Sequence, residues 1–375
     1  MSYEVKGWCP GAHRPMMSGD GLVVRVRPRL AELSIPQALG LCAAAQQFGA
    51  GLIDLTNRAN LQVRGVSPTA WPDLMAALEG LALLDGDADT EARRNILSAP
   101  LWASGDDTQR IAGALTDRLA ELPALPPKTG FAIDAGTGPM LGDVSADFRI
   151  ERGADGGLIL RAEGRGLGAP LAPGTEVDAL IALAEWFVAS GGTQAGRMAR
   201  HTASLPGWAR GTLAPAAARG PLAPGAGPLG AVHGAGFGQV RAKDLAAALK
   251  ASRARALRIT PWRTMILVGA DPAAQPGLIW NPDAAELRLD ACPGAPFCPQ
   301  SSIETRGLAL DLAAAVAGTL HVSGCAKGCA RPRVADVVVT GREDLYDLSF
   351  KGRAGDHPAH RGLTKSQLLH QLGAV

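Results

Sequence analysis

In the segment Leu52-Ile-Asp-Leu-Thr-Asn-Arg-Ala-Asn-Leu-Gln-Val-Arg-Gly-Val66, apolar and polar residues alternate twice, over residues 52–56 and again over 61–66. That period of two is the mark of half-buried strands. Leu52, Asp54 and Thr56 share one face, and Ile53 and Leu55 the other. Upstream lies a third strand-like run, Gly21-Leu-Val-Val-Arg-Val-Arg-Pro28, stopped by its proline. Between the two, Ser34 is placed to cap an apolar-rich helix over residues 35–48 that ends at Gly49. A second helix is expected over 69–84. The element order is β-α-β-β-α.

A second unit repeats this order: strand 237–240, helix 243–252, strand 257–260 and strand 264–268. At one constant offset Ile53, Leu55, Thr56, Leu61, Val63 and Gly65 fall on Leu257, Ile259, Thr260, Met265, Leu267 and Gly269. Only the threonine and the glycine are identical, so alternation and element order carry the repeat. After the first copy come a mostly helical stretch over 92–120, strands at 131–134, 148–151 and 158–161, and a helix at 177–189. After the second come a cysteine-rich segment, a helix at 303–317 and strands at 337–340 and 346–350. Residues 206–236, rich in Pro, Gly and Ala, read as a linker. Gly225, Gly227 and Gly230 spell G-x-G-x-x-G there. With no strand before them and prolines at 221, 224 and 228, a dinucleotide site is not expected. The expected division is a half-repeat over 1–90, an α+β domain over 91–205, linker and second half-repeat over 206–275, and a second α+β domain over 276–375.

The composition suits a folded chain: 375 residues, 47% hydrophobic and 19% charged, with a net charge of +2. So weak a net charge gives no reason to expect nucleic acid or an anionic membrane as partner. No apolar run approaches the ~18 residues of a membrane span, and the first residues lack the apolar core of a secretory leader. A cytoplasmic protein is expected, in which the six cysteines stay reduced. Cys9 and Cys42 stand alone, Cys42 as a core residue of an Ala-rich helix and Cys9 as a loop or core residue. The other four are crowded together.

They lie in Ala291-Cys-Pro-Gly-Ala-Pro-Phe-Cys298 and Gly324-Cys-Ala-Lys-Gly-Cys-Ala-Arg-Pro332. Four thiolates from two short loops suit an iron–sulfur cluster or a tetrahedral zinc ion. The five-residue gap between Cys292 and Cys298 is wider than structural zinc knuckles prefer, which favours the cluster. Ser301-Ser-Ile-Glu304 fits a capping box, so a helix start is expected just after Cys298. Lys327 and Arg331 set cations beside Cys325 and Cys329. His13 and His321 lie near this chemistry, and neither has a second histidine or carboxylate at ligand spacing, so both are expected to be structural.

Taken together, Gly19-Asp-Gly-Leu-Val-Val-Arg-Val-Arg-Pro28, the segment around Arg58, the loop from Ala291 through Glu304-Thr-Arg306, and the second cysteine loop resemble the nitrite/sulfite reductase superfamily. The resemblance spans most of the chain in order and is most specific at the cysteine loops. It implies an α+β fold of two ferredoxin-like half-repeats (βαββα), each followed by a nitrite/sulfite-reductase-type α+β domain, related by a pseudo-twofold. It implies a [4Fe–4S] cluster on Cys292, Cys298, Cys325 and Cys329, a tetrapyrrole between the halves, and Cys329 as the thiolate facing that ring. Arg58, in Thr-Asn-Arg-Ala-Asn-Leu-Gln, matches an anion-binding arginine of the family, Arg94 in Arg-Arg-Asn-Ile resembles another, and Lys128 the first of a lysine pair. The second lysine position holds Gly130.

That departure weakens an anion pocket. The resemblance therefore implies an oxygen-using oxidoreductase, a monooxygenase of aerobic cobalamin biosynthesis acting on a carboxylate-rich tetrapyrrole. A sirohaem-dependent nitrite or sulfite reductase is the alternative. Arginine forks bind carboxylates bidentately, so Arg58, Arg64, Arg94 and Arg263, with Lys128, Asn60 and Gln62, are expected near the substrate. The expected cofactors are the [4Fe–4S] cluster and a non-haem iron or a sirohaem (haem-type) group. Electrons are expected from a separate reductase or ferredoxin.

Overall fold

The computed structural model describes residues 10–374. Cys9 lies outside the described residues. The chain opens with β1 (Met16–Ser18), β2 (Gly21–Val26), β3 (Glu32–Ser34), the helix Ile35–Phe48, β4 (Leu52–Leu55), β5 (Leu61–Val66) and the helix Trp71–Gly80. Next come β6 (Ile96–Ser98), the helix Asp107–Asp117, β7 (Phe131–Asp134), β8 (Phe148–Arg152), β9 (Leu158–Ala162), β10 (Ala169–Leu171) and the helix Glu176–Ala189. The second half-repeat runs β11 (Gly225–Gly227), β12 (Gly230–Gly234), β13 (Gln239–Arg241), the helix Ala242–Ala251, β14 (Ala256–Ile259) and β15 (Thr264–Val268). The chain then forms β16 (Asp290–Ala291), the helix Arg306–Asp311, β17 (Leu320–Ser323), β18 (Ala335–Arg342), β19 (Leu345–Gly352), β20 (His360–Leu363) and the helix Lys365–Leu372.

The two half-repeats exchange a strand. Their sheets have the orders β1-β2-β5-β4-β13 and β11-β12-β15-β14-β3. Thus β13 pairs with β4 of the first half, Val240 opposite Ile53, and β3 pairs with β14 of the second, Leu33 opposite Leu257. The apolar faces then merge into one core, in which Val24, Leu41 and Ile53 pack with Leu245, Leu257 and Met265. Cys42 sits fully buried in this core, its thiol pushed up to about 12 by burial. Ser34 caps the helix Ile35–Phe48 as expected, in a capping box with Gln37.

The two α+β domains share one topology. In each, two parallel pairings are followed by two antiparallel ones: β6-β7-β8 then β9 and β10, and β16-β17-β18 then β19 and β20. Each has its own core, around Phe131, Phe148 and Phe187 in the first and around Val322, Val339 and Leu348 in the second.

Four expectations need correction. The linker stops short of residue 236, because β11 and β12 form a hairpin equivalent to β1 and β2. The glycines of the G-x-G-x-x-G motif belong to that hairpin: Gly230 has φ +138°, and a Cβ there would stand 2.3 Å from the Leu267 carbonyl oxygen. The strand expected at 237–240 begins at Gln239, because the backbone kinks at Phe237, as it does at Leu30 of the first half. Residues 92–120 are not mostly helical, since β6 interrupts them, buried against β7. The helix after Cys298 starts at Arg306, and Ser301 caps nothing: its hydroxyl donates to the Ile303 carbonyl, while the Glu304 carboxylate accepts the Gly307 and Leu308 amides. Among the described residues, no helix is long and apolar enough to cross a membrane.

Candidate functional site

Parallel strands bring their C-terminal ends to one sheet edge, and the loops leaving that edge meet. Cys292 follows β16 directly, and Cys325 and Cys329 follow β17. The Gly324 amide donates to Cys292 Sγ at 3.2 Å, which ties the two loops together at the sulfur. The loop bearing Cys298 is held by the opposite half of the molecule. The Phe297 carbonyl accepts from the Gly19 amide (3.2 Å), the Ser18 hydroxyl (2.8 Å) and Arg64 Nη2 (3.3 Å).

Cys292 is buried, Cys298 and Cys325 are half-buried, and Cys329 is exposed. Burial pushes the Cys292 thiol up, and partial desolvation of its sulfur raises Cys329 although the residue is exposed; thiol neighbours push further, Cys298 and Cys325 on Cys292 and the other three on Cys329. Two backbone amides, of Gly324 and Gly294, pull Cys292 down, and Lys327 pulls Cys329 down. The four thiols therefore share one electrostatic neighbourhood. Yet among the described residues no three Cys, His, Asp or Glu groups converge on a point as a single ion demands. Amide donors aimed at a sulfur within a group of neighbouring thiols are the kind of setting that tunes a metal–thiolate centre.

Cys292 and Cys329 open on a cavity of about 640 Å³ bounded by both half-repeats and the last domain. Arg64, Arg263, Arg306 and Arg331 line it, with Asp54, Gln62, Asp290 and Trp262. Asn57 borders this cavity and also a second one, of about 340 Å³. The second is strongly cationic, lined by Arg14, Arg25, Arg27, Arg58, Lys128 and Arg197. The two cavities adjoin at Asn57 and together make the cleft, with Cys292 and Cys329 lining the first and cations lining both.

Of the residues expected here, Arg58, Gln62, Lys128, Arg64 and Arg263 reach the cleft. Arg58 is committed at its tip: Nη1 donates to the Ser145 carbonyl (2.6 Å) and Nη2 to that of Asn95 (3.0 Å), while Nε has no partner. Burial, reinforced by Arg197, holds its guanidinium down at about 10. Gly130 explains the pose, because a Cβ at 130 would stand 2.1 Å from Arg58 Nη2. The missing second lysine and the retracted arginine are thus one feature. Gln62 accepts from Arg25 at 2.8 Å, and Arg263 is spent on Asp290 (2.6 Å) and the Leu289 carbonyl (2.7 Å).

Two expectations fail on position. Arg94 lines neither cavity; it is buried in a bidentate pair with Asp85, at 2.7 and 2.8 Å, and donates to the Arg27 carbonyl. Asn60 also lines neither; its backbone closes the β4–β5 turn, exchanging hydrogen bonds with Thr56. His13 bonds the Asp85 carbonyl at 2.8 Å, in keeping with its structural reading. His321 is fully buried with neither ring nitrogen bonded, and burial holds it down to about 4.

Asp54 was not singled out as a site residue. It is half-buried in the cleft, accepts from Gln239 Nε2 at 2.6 Å and faces Arg64 Nη1 at 3.5 Å, and burial pushes its carboxyl up. Its place on the polar face of β4 was legible; its partner Gln239 arrives only through the exchanged strand. Arg197 was missed for the same kind of reason, since it reaches the cleft from a loop after the first domain's last helix.

The fold and cleft define the class. Residues 14–81 match the family described as the nitrite/sulfite reductase ferredoxin-like half domain. The structure of the Mycobacterium tuberculosis NirA protein is similar over 92% of this chain and 78% of that one, with a TM-score of 0.60 at 19% identity, a likeness of fold. This is a protein of the nitrite/sulfite reductase fold. A precorrin-3B synthase from a Sinorhizobium species is 32% identical over 94% of this chain and 84% of its own length. The chain belongs to the precorrin-3B synthase family.

Proposed function

We propose that the protein is an oxygen-dependent oxidoreductase that converts precorrin-3A to precorrin-3B, hydroxylating C20 and closing a γ-lactone. The observation that supports this best is the pair of adjoining cavities: Cys292 and Cys329 line the first, and guanidinium and ammonium groups line both. A macrocycle rimmed with acetate and propionate groups needs many spaced cations, whereas a small inorganic anion needs a few converging ones. Here the second lysine of the reductase pattern is Gly130, and Arg58 is folded away against it.

In this reading Lys128, Arg25, Arg14 and Arg197 take the carboxylates at the far end, and Arg306 and Arg331 those at the thiol end. Arg58 braces the Ser145 and Asn95 carbonyls beside the cleft, Gln62 orients Arg25, and Arg263 braces Asp290. Arg94 and Asn60 act from behind, the first by fixing the loop at Asp85 and the second by shaping the turn that carries Arg58. Cys292, Cys298, Cys325 and Cys329 hold a [4Fe–4S] cluster, which supplies electrons singly. Overall, one oxygen atom of O2 enters the substrate and the other leaves as water, taking up two electrons and two protons. Asp54, whose carboxyl burial pushes up against the pull of Arg64 and Gln239, is the cleft carboxyl placed to hand over a proton. The electrons come from a separate reductase or ferredoxin, in the cytoplasm, where the thiols stay reduced. A non-haem iron or a haem-type group is the centre that would bind oxygen.

Incubation with precorrin-3A, oxygen and a reductant tests the proposal by mass: the product gains one oxygen atom, labelled when 18O2 is used. A product without it defeats the reading. A strong sirohaem absorption in protein purified without air, with turnover of nitrite or sulfite, establishes the reductase alternative instead.

A further inference from the structure

The first α+β domain contains a second chamber at the place that corresponds to the thiols. Sheet register makes the correspondence explicit. The Ala99 amide donates to the Ile133 carbonyl at 2.9 Å, as the Cys292 amide donates to that of Val322 at 3.4 Å. Counted along the loops from these anchors, Gly105 takes the place in sequence of Cys298, and Gly136 and Met140 those of Cys325 and Cys329. All four, Ala99, Gly105, Gly136 and Met140, line a cavity of about 760 Å³. A vestigial site has every reason to fill, since voids weaken a domain. This one has stayed open within the size range of small-molecule sites.

Its polar lining is unbalanced. Asp134 and Thr108 both line the chamber and are 2% and 1% exposed. Asp134 Oδ2 accepts the Met140 and Leu141 amides, each at 2.7 Å, but Oδ1 has no partner, and neither does Thr108 Oγ1. A buried carboxylate oxygen left unmatched costs stability, and such atoms in native proteins have a reason. Of the two cations in the lining, Arg152 is already spent on the Gly136 and Gly156 carbonyls and on Asp107, and Arg219 donates to the Thr137 hydroxyl at 3.4 Å. Asp134 Oδ1 is an unused acceptor, and the Thr108 hydroxyl can accept beside it. Trp102 and Leu101 supply apolar wall, the outer face of Trp102 being covered by the Arg258 guanidinium at 3.7 Å from the ring centre. The segment before β11 straps the mouth, with the Ala216 amide on the Arg152 carbonyl and the Arg219 amide on that of Pro139.

We propose that this chamber is a second ligand site, for a small organic molecule with an apolar body and a hydrogen-bond-donating head, a primary ammonium or primary amide. The head sits on Asp134 Oδ1 and Thr108 Oγ1, and the body lies against Trp102 and Met140. The site is separate from the cleft and does not depend on the reaction assigned there.

The test uses three probes of one shape, benzylamine, benzamide and benzoate, titrated into the purified full-length protein and followed by saturation-transfer NMR and calorimetry. Benzylamine and benzamide bind saturably, and benzoate binds at least about tenfold more weakly, because its head meets an acceptor instead of a donor. Ala99→Leu narrows the chamber and weakens binding several-fold. Asp134→Asn turns an amide donor toward the chamber and reverses the preference toward benzoate. Thr108→Val, nearly isosteric, weakens the two donors several-fold and serves if Asp134→Asn does not fold. A chamber that holds only water binds none of the probes, and that result overturns the proposal. So does equal binding of benzoate, or binding that Ala99→Leu leaves unchanged.

Discussion

The two α+β domains are built on the same five-strand order, with parallel and antiparallel pairings in the same places, yet only one carries thiols. In the second domain the loops leaving the parallel strands bear Cys292, Cys298, Cys325 and Cys329. In the first the corresponding positions are Ala99, Gly105, Gly136 and Met140. The lesson is a division of labour. Backbone topology determines where loops converge, and the side chains on those loops determine whether convergence becomes chemistry. The half-repeats show a milder version: one long helix has a capping box at Ser34, while its counterpart begins at Ala242, after Arg241, with no side-chain cap.

This asymmetry can be attacked from its largest consequence downward. Cys325→Ala should remove what distinguishes the second domain. Anaerobic analysis should find about four iron and four sulfide per chain in the parent and little of either in the variant, with loss of turnover; retained iron and turnover would refute the ligand assignment. Arg94→Ala strips the buried partner from Asp85 and should cost about 3–5 kcal/mol in a denaturant titration. A loss near zero would show that the pair does not hold the first domain against its half-repeat.

Gly130→Ala sharpens the contrast at the cleft itself. The new methyl must displace the Arg58 guanidinium from the Ser145 and Asn95 carbonyls. kcat/KM for the tetrapyrrole should then fall about tenfold or more with little change in Tm. An unchanged value would separate Arg58 from substrate placement. The smallest effect lies at the helix starts. Ser34→Ala should cost about 1 kcal/mol, while Arg241→Ala at the uncapped counterpart should be close to neutral. Equal losses at the two sites would mean that strand exchange, not capping, stabilises both helices.

Much of this was legible from residues. The alternation over 52–66 and the periodic run over 35–48 became the expected strands and helix, because strong local patterns survive tertiary packing. The cysteine loops were legible from spacing alone. The interruption of residues 92–120 by β6 was not, since three residues, Ile96-Leu-Ser98, are too few to show a period. The capping-box pattern at Ser301 misled, because a hydroxyl near several amides bonds whichever the loop presents. Arg94 misled for a related reason: a motif shows that an arginine is present, not which carboxylate it meets.

By itself the sequence determined that the chain holds two unequal copies of one unit, that four thiols belong to the second, and that the family is that of the nitrite/sulfite reductases. Those are properties of order and spacing, which survive in one dimension. Only the tertiary structure decided that the halves trade strands, so that Gln239 meets Asp54, that Arg58 lies against Gly130, and that a chamber persists where the first domain has no thiols. Each of these depends on distances between residues far apart in the chain. The core that sets those distances is shared by both halves, so neither half specifies them alone.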